Sequence, residues 1–414
     1  MPVDGPETSP FSLLPLDLLH LICIPILDFP PAIATANLHS LSLASRAWSL
    51  AAQPALFHSP YLSSDPLDRV EPRTYARLKS FLEAVQGRPD LAAAVRDFDA
   101  GKYTARCTTE AEVDRRLVSR LSIKLIQVCS NLRTLSLPFV TQADKYDLVV
   151  ALRKLSSLEV VTIGEGAAIS DPWVINVDIA IKDQWGTAVW TRDDMVTFAN
   201  HWPRLRKVVL QVKLKGLTPD AVAPIPWQLE GFELALLKHG KVSFDYLDRL
   251  LSNTHSSLRR LVLTEHQLDP DDLLHVFEAY GATLTALETT TANIYAPNKS
   301  LFSTIASSCP SLRFLRLGTP VYALSSCLLH LSELHHLSDL ALDHILLQRL
   351  EGPTSVLAAE LRRFPRLRRL SLTPGYHGDP TDDLEQFQQF QLRLHALKSV
   401  LKHEVEVIVR PPFC

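Results

Sequence analysis

From residue 132 onward the apolar positions of this chain recur as one phrase, Leu-x-x-Leu-x-Leu. It reads Asn131-Leu132-Arg133-Thr134-Leu135-Ser136-Leu137, then Ser157-Leu158-Glu159-Val160-Val161-Thr162-Ile163, then Arg204-Leu205-Arg206-Lys207-Val208-Val209-Leu210. Further copies occupy 228–234 and 257–263, a weaker one 283–289, and strong ones 312–317, 337–342 and 367–372. Their first apolar positions, 132, 158, 205, 229, 258, 284, 312, 337 and 367, are separated by 26, 47, 24, 29, 26, 28, 25 and 30 residues. Alternating apolar positions predict a short strand buried on one side, and this spacing leaves room for a helix before the next strand. The gap of 47 spans two periods, which predicts a degenerate copy near Val174-Ile175-Asn176-Val177-Asp178-Ile179, inside an irregular stretch from Gly164 to Gly186. An earlier strand is expected at Val95-Arg96-Asp97-Phe98 and a last one at Val405-Glu406-Val407-Ile408-Val409. Helix starts fall between the strands at Asp269-Pro270-Asp271-Asp272, Thr191-Arg192-Asp193-Asp194 and Thr354-Ser355, where capping residues, an N1 proline and acidic side chains suit an N-terminus.

Helical spacing governs the first sixty residues instead. Leu14, Leu18, Leu19 and Ile22 follow it around Pro15, which fits the first turn of a helix. Pro25, Pro30 and Pro31 are expected to end this helix, and a second, from about Thr35, carries Leu38, Leu41 and Leu43 toward Trp48. Leu56-Phe57 closes a third. A unit this small is marginal alone, so some of its leucines need another surface, on a partner or on the rest of the chain.

Composition narrows the function classes. With 46% hydrophobic and 21% charged residues among 414, the chain has the balance of a globular protein. Its 42 Lys+Arg against 45 Asp+Glu leave a net charge of −3, with no general pull toward nucleic acid or acidic membranes. The start, Met1-Pro2-Val3-Asp4-Gly5-Pro6-Glu7, has no basic segment, and the apolar run behind it is broken by Pro15, Asp17, His20 and Pro25, so neither secretion nor membrane spanning is expected. Six cysteines without a Cys-x-x-Cys pair point to reduced thiols, in the cytoplasm or nucleus.

Two resemblances follow from these residues. Leu14, Pro15, Asp17, Leu18, Leu19, Ile22, Leu38, Leu41, Leu43, Ser45, Arg46 and Trp48 resemble an F-box, whose pattern opens with Leu-Pro-x-(Glu/Asp)-(Leu/Ile)-(Leu/Ile)-x-x-Ile and ends on Ser/Cys-Arg-x-Trp. The chain departs from it in having Asp17 where Glu is usual and in the long proline-bearing connection from Pro25 to Ala36. The later phrase resembles a leucine-rich repeat. The Asn or Cys usual three residues after the last leucine is here Val140, Lys213, His266, Pro320, Ile345 or Gly375, so an irregular array whose loops bond individually is expected. Together these imply an α/β chain with a disordered N-terminus (1–10), an all-helical F-box-like unit (11–60), a helical connector capping the array (61–94) and a leucine-rich-repeat solenoid (95–414) with parallel strands on its concave side and helices outside. The combination is similar to the substrate-recognition subunits of SCF-type cullin–RING ubiquitin ligases. It implies docking on a Skp-family linker protein, and through it a cullin, by Leu14, Pro15, Leu18, Leu19, Ile22, Leu38, Leu41 and Trp48. The repeats would hold a protein substrate. No nucleic acid, membrane or cofactor is implied, and the chain would not itself be an enzyme. The alternative is a repeat scaffold whose N-terminal helices only cap the array. Burial separates the two: Leu18, Leu19 and Ile22 packed on residues 73–86 mean a cap, and an exposed apolar face means a partner.

The strand phrase also nominates a substrate face. Leucines at positions one, four and six face the core, leaving positions three and five outward: Lys207 and Val209, Gly231 and Glu233, Arg260 and Val262, Ala286 and Glu288, Phe314 and Arg316, Asp339 and Ala341, Arg369 and Ser371. Mixed charge there also allows ordinary pairing between neighbouring strands. Arg362-Arg363-Phe364-Pro365-Arg366-Leu367-Arg368-Arg369 is the densest basic cluster, read more simply as a helix end and an exposed repeat edge than as a nucleic-acid contact. His335 and His336, with His330, Asp339 and His344, invite a metal reading, but adjacent helical residues diverge by about 100° and surface histidines are the simpler account. Trp173, Trp185 and Trp190 crowd the irregular stretch, where core filling is the plainer role. The sequence contains no Gly-x-Ser-x-Gly, Walker loop or His-Glu-x-x-His.

Overall fold

A computed structural model describes residues 14–58, 74–100, 111–137, 140–164, 192–212, 225–236, 244–264, 270–290, 299–318, 324–346, 354–375, 392, 395–397 and 405–409. The strand expected at 174–179, the N-terminal ten residues, and Trp173, Trp185 and Trp190 lie outside them. The chain divides into two compact units, one centred on residues 1–167 and the other on 205–414.

The first unit opens with three short helices, α1 (Leu16–Cys23), α2 (Pro31–Ala44) and α3 (Arg46–His58). The second helix starts four residues earlier than expected. Pro31 occupies its first turn, where a missing N–H costs nothing, and Pro25 opens a short 3-10 turn, Pro25–Asp28, so the prolines start elements as well as ending one. Ser45 explains the Ser-Arg-x-Trp pattern: its hydroxyl accepts the Trp48 N–H at 3.3 Å, capping α3. Leu19, Cys23, Leu38, Ala51 and Ala52 form the core of this cluster, with Leu14, Leu41, Trp48 and Leu56 packed on it.

The other side of α3 joins the helices that follow, α4 (Thr74–Gln86) and α5 (Pro89–Ala94). Phe57 stacks on Phe81 with centroids 5.4 Å apart, and the Arg96 N–H donates to the His58 carbonyl at 2.9 Å. β1 (Asp97–Asp99), α6 (Ala111–Val128), β2 (Thr134–Leu137), α7 (Lys145–Leu152) and β3 (Val160–Gly164) complete the unit's described elements. Its three strands lie side by side in chain order, all parallel.

After α8 (Arg192–His201), the second unit continues the alternation with β4 (Lys207–Val212), β5 (Gly231–Leu236), α9 (Phe244–Leu251), β6 (Arg260–Thr264), α10 (Pro270–Tyr280), β7 (Ala286–Thr290) and α11 (Lys299–Ser308). It ends with β8 (Phe314–Leu317), α12 (Leu324–Leu331), β9 (Asp339–Leu346), α13 (Thr354–Leu361), β10 (Arg369–Gly375) and β11 (Glu406–Val409). Each strand pairs in parallel with the next, and helices α9 to α13 pack each against its successor. This is the α/β architecture of a leucine-rich-repeat solenoid. In register, Val208, Phe232, Leu261, Leu287, Leu315, Leu340, Leu370 and Val407 form one continuous buried row. Burying a full Leu side chain is worth about 1.5–3 kcal/mol, so this row accounts for why the phrase tolerates so little but aliphatic residues and Phe.

Hydrogen bonds between successive repeats are made one at a time by different side chains. Asn131 Nδ2 donates to the Ala93 carbonyl at 3.0 Å, Asn253 Nδ2 to Ile225 at 2.9 Å, Ser257 Oγ to Leu229 at 2.9 Å and Thr283 Oγ1 to Leu258 at 2.7 Å. Trp202 and Trp227 do the same through their indole N–H, to Leu152 at 3.0 Å and Leu250 at 2.5 Å.

Candidate functional site

Among the described residues, two surfaces correspond to the side chains nominated for partner contact. The first is on the N-terminal helices. In α1, Leu19 and Cys23 share the face turned into the cluster, and Leu18, Leu21 and Ile22 fall on the arc turned away from it. Those three are 46%, 60% and 45% exposed. Ile24, Phe29, Ile33, Leu43 and Leu50 are exposed as well, and with Leu16 they bring the count to nine of the fourteen large exposed hydrophobics among the described residues. Such a concentration in 35 residues is not the scattered exposure of an ordinary surface.

Burial sorts the eight residues nominated for linker binding. Leu18 and Ile22 are exposed, Pro15 is exposed beside them, and Leu14 is half-buried. Leu41 and Trp48 are half-buried against the cluster core. Leu19 and Leu38 are 0% and 1% exposed, so they hold the cluster together and no partner can touch them. Helical spacing alone put Leu18 and Leu19 on one stripe; the seat of α1 on α3 separates them. Leu21, missed in the sequence, follows Leu18 by three and was legible from that spacing.

The second surface is the open face of the strands in the second unit, built from two in-register rows. Position three gives Lys207, Gly231, Arg260, Ala286, Phe314, Asp339, Arg369 and Glu406, and position five gives Val209, Glu233, Val262, Glu288, Arg316, Ala341, Ser371 and Ile408. All eight nominated substrate-face residues are exposed or half-buried here. Val209, Val262, Ala341 and Ser371 are instead buried; Glu233 is the in-register neighbour of both valines and Arg316 that of Ala341, long side chains beside short ones.

Charges on this face are arranged to cancel. Glu288, only 13% exposed at its side chain, takes Arg260 Nη2 on one oxygen and Arg316 Nη1, at 3.7 Å, on the other. Arg369 reaches Asp339 at 3.5 Å and Glu406 at 3.2 Å. Glu406 was invisible to the sequence reading because it belongs to the last strand, 37 residues away. Glu233 is different: it stands between Val209 and Val262 with no ion pair within 4 Å. Burial pushes its carboxyl above the usual range, Lys207 and Arg260 pull it back, and Glu288 pushes it up again. Gly231 lets the Lys207 stem lie over it, since a Cβ there would stand 3.3 Å from Lys207 Cγ. With four cations and four anions, the face presents single charges of both signs and no uniform field.

An ionisable cluster away from both surfaces joins α9 to α10. Tyr280 OH donates to Asp248 Oδ1 at 2.8 Å, His255 Nε2 lies 3.7 Å from the same oxygen, and the His255 ring stacks on Tyr280 at 4.5 Å. Tyr280 is fully buried, and burial drives its phenol far above its ordinary value. His335 and His336 lie in a turn and not on a helix, with His336 Nδ1 accepting from Arg366 Nη1 at 3.0 Å. Among the described residues no three His, Cys, Asp or Glu side chains converge as metal ligands, and no helix is long and apolar enough to cross a membrane.

No protein-family model matches the sequence, and no curated protein matches it. Among solved structures the chain is similar to the leucine-rich repeat-containing protein LegL7 from Legionella pneumophila, at 13% identity over 84% of this chain and 89% of that one, with a TM-score of 0.41.

Proposed function

We propose that the chain is a protein-binding adaptor: α1–α3 dock on a Skp-family linker, and through it a cullin, while the open strand face holds a protein substrate for ubiquitin transfer by other subunits. The observation that carries this reading is the exposed apolar set centred on Leu18, Leu21 and Ile22, in a segment whose sequence resembles an F-box. Each of the three is about half exposed, so full burial against a partner returns about 1 kcal/mol apiece. Three such residues supply about 3 kcal/mol, roughly a hundredfold in affinity. The chain then contributes proximity and no catalytic group, since holding a target beside a charged conjugating enzyme raises its effective concentration.

The test is co-purification with a Skp-family linker from cells expressing the tagged chain. Leu18→Asp with Ile22→Asp should abolish it and leave the thermal melt unchanged, because neither side chain is in the cluster core. Failure of the unaltered chain to retain the linker, or retention by the double variant, refutes the reading. A second reading, in which α1–α3 only cap the array, draws on the Phe57–Phe81 stack and the bond from Arg96 to His58 that join α3 to the helices behind it. In that case the double variant changes no association at all.

A further inference from the structure

One row of the second unit belongs to neither surface. It is formed by the residue that enters each strand: Arg206, Arg259, Arg313 and Arg368 ahead of β4, β6, β8 and β10, with Glu230, Thr285 and Ser338 between them. Backbone bonds tie the row together, from the Glu230 N–H to the Arg206 carbonyl at 2.8 Å through to the Arg368 N–H on the Ser338 carbonyl at 2.8 Å. Arginine therefore falls on every second strand, about 10 Å from the next at ordinary strand spacing.

The four are not equally engaged. Arg206 lies 3.8 Å from Glu230, and Arg259 Nη1 donates to the Thr283 carbonyl at 3.1 Å. Arg313 and Arg368 are exposed, and their guanidinium groups have no hydrogen bond or ion pair. Arg366, in the turn before β10, adds a third guanidinium whose one partner is the His336 ring. Against these stands the carboxylate of Glu333 in the neighbouring turn, while Glu360 is taken by Arg363 at 3.2 Å.

We infer that the strand-entry edge of β8–β10 is a docking surface for an acidic, extended protein segment, gripped by Arg313, Arg366 and Arg368. A guanidinium fork matches carboxylate or phosphate oxygens two at a time. A chain extended as polyproline II advances about 3.1 Å per residue with three residues per turn, so anionic side chains three residues apart share one face and span the interval between Arg313 and Arg368. Nucleic acid fits less well. Phe364, the aromatic residue of this cluster, is buried and offers no stacking platform for bases. The surface is distinct from the open face and does not depend on what α1–α3 bind.

The full-length chain is titrated by fluorescence anisotropy against four labelled probes. These are a twelve-residue peptide with Asp or Glu at every third position, its phosphoserine counterpart, its Asn/Gln counterpart, and a twelve-nucleotide single-stranded DNA. Either anionic peptide should bind, whichever of carboxylate or phosphate proves tighter, and the Asn/Gln peptide should not. R313E/R368E should weaken binding by about tenfold or more, and R313K/R368K, which keeps the charge but loses the fork, by less. K79E/R153E, the same charge change at exposed sites in the other unit, should leave it unchanged. Both arginines are exposed, so circular dichroism should show every variant folded. Equal binding of the neutral peptide, undiminished binding by R313E/R368E, or tighter binding of the DNA than of either anionic peptide overturns the inference.

Discussion

Replacing Gly281 by Ala should destabilise the second unit, while the same change at Gly87 should stabilise the first. Gly281 opens a 3-10 turn, Gly281–Thr283, directly after α10 and is buried. A methyl group there would stand 2.6 Å from the Ser308 carbonyl oxygen, 2.9 Å from the Ser308 carbonyl carbon and 2.8 Å from Cys309 Sγ. A relaxed carbon–oxygen approach is about 3.3 Å or more, so the turn ahead of β8 must retreat by roughly 0.7 Å. Two of the three obstructing atoms are backbone and cannot rotate aside, which places the cost toward the upper part of the usual overpacking range of about 1–3 kcal/mol. Restricting the unfolded chain returns about 0.4–1 kcal/mol, leaving a net loss of about 1–2 kcal/mol. At Gly87 the nearest atoms are the Glu83 and Ala84 carbonyl oxygens at 3.7 and 3.9 Å, ordinary contacts, so only the gain remains. Hydrogen exchange read separately in β7–β8 and in α4–α5 assigns each effect to its own unit. Unchanged protection of β7–β8 in Gly281→Ala, or a larger loss at Gly87 than at Gly281, refutes the reasoning.

The α1 pair tests the sorting of its leucines: Leu19→Ala should cost about 2–5 kcal/mol by opening the cluster core, and Leu18→Ala less than about 1 kcal/mol, as read by exchange in α1–α3. Similar losses at the two sites would contradict the assigned faces. Glu233→Gln should stabilise the chain at pH 7, because burial holds the folded carboxyl above its ordinary value of 4.5 and its ionised form opposes folding. That gain should shrink as pH falls through the raised folded value and vanish below 4.5, so a gain persisting in urea melts at pH 4 would disprove it. Cys129 and Cys309, whose thiols burial pushes up to about 12, should resist iodoacetamide at pH 8 until the chain unfolds. Mass spectrometry showing modification at the rate of a free thiol would contradict their burial.

The strands were legible because their signal is local. Leu315 and Leu317 must both be buried for β8 to lie in its row, and aliphatic residues and Phe fill such positions almost exclusively, so the phrase marks the element almost to the residue. The weaker copy is also explained: Thr289 stands fully buried in a leucine position and keeps the register with Leu317. What escaped depends on neighbours distant in the chain. Whether Val262 is covered is decided by the length of side chains on adjacent strands, and Arg369 finds Glu406 only because β11 closes the row. On the apolar surface, residue types and spacing identified the stripe, and only the packing of α1 on α3 showed which leucines turn outward.

The alternation of arginine along the strand-entry edge bears on how such an array can change length. Arg206, Arg259, Arg313 and Arg368 are separated by 53, 54 and 55 residues, two repeats each time. Excising the single repeat that contains β9 would set Arg313 and Arg368 on adjacent strands, about 4.8 Å apart, where like charges oppose each other. Excising or inserting two repeats together preserves the spacing. The pair of repeats, and not the single one, is the module in which this part of the chain can be shortened or extended without electrostatic conflict.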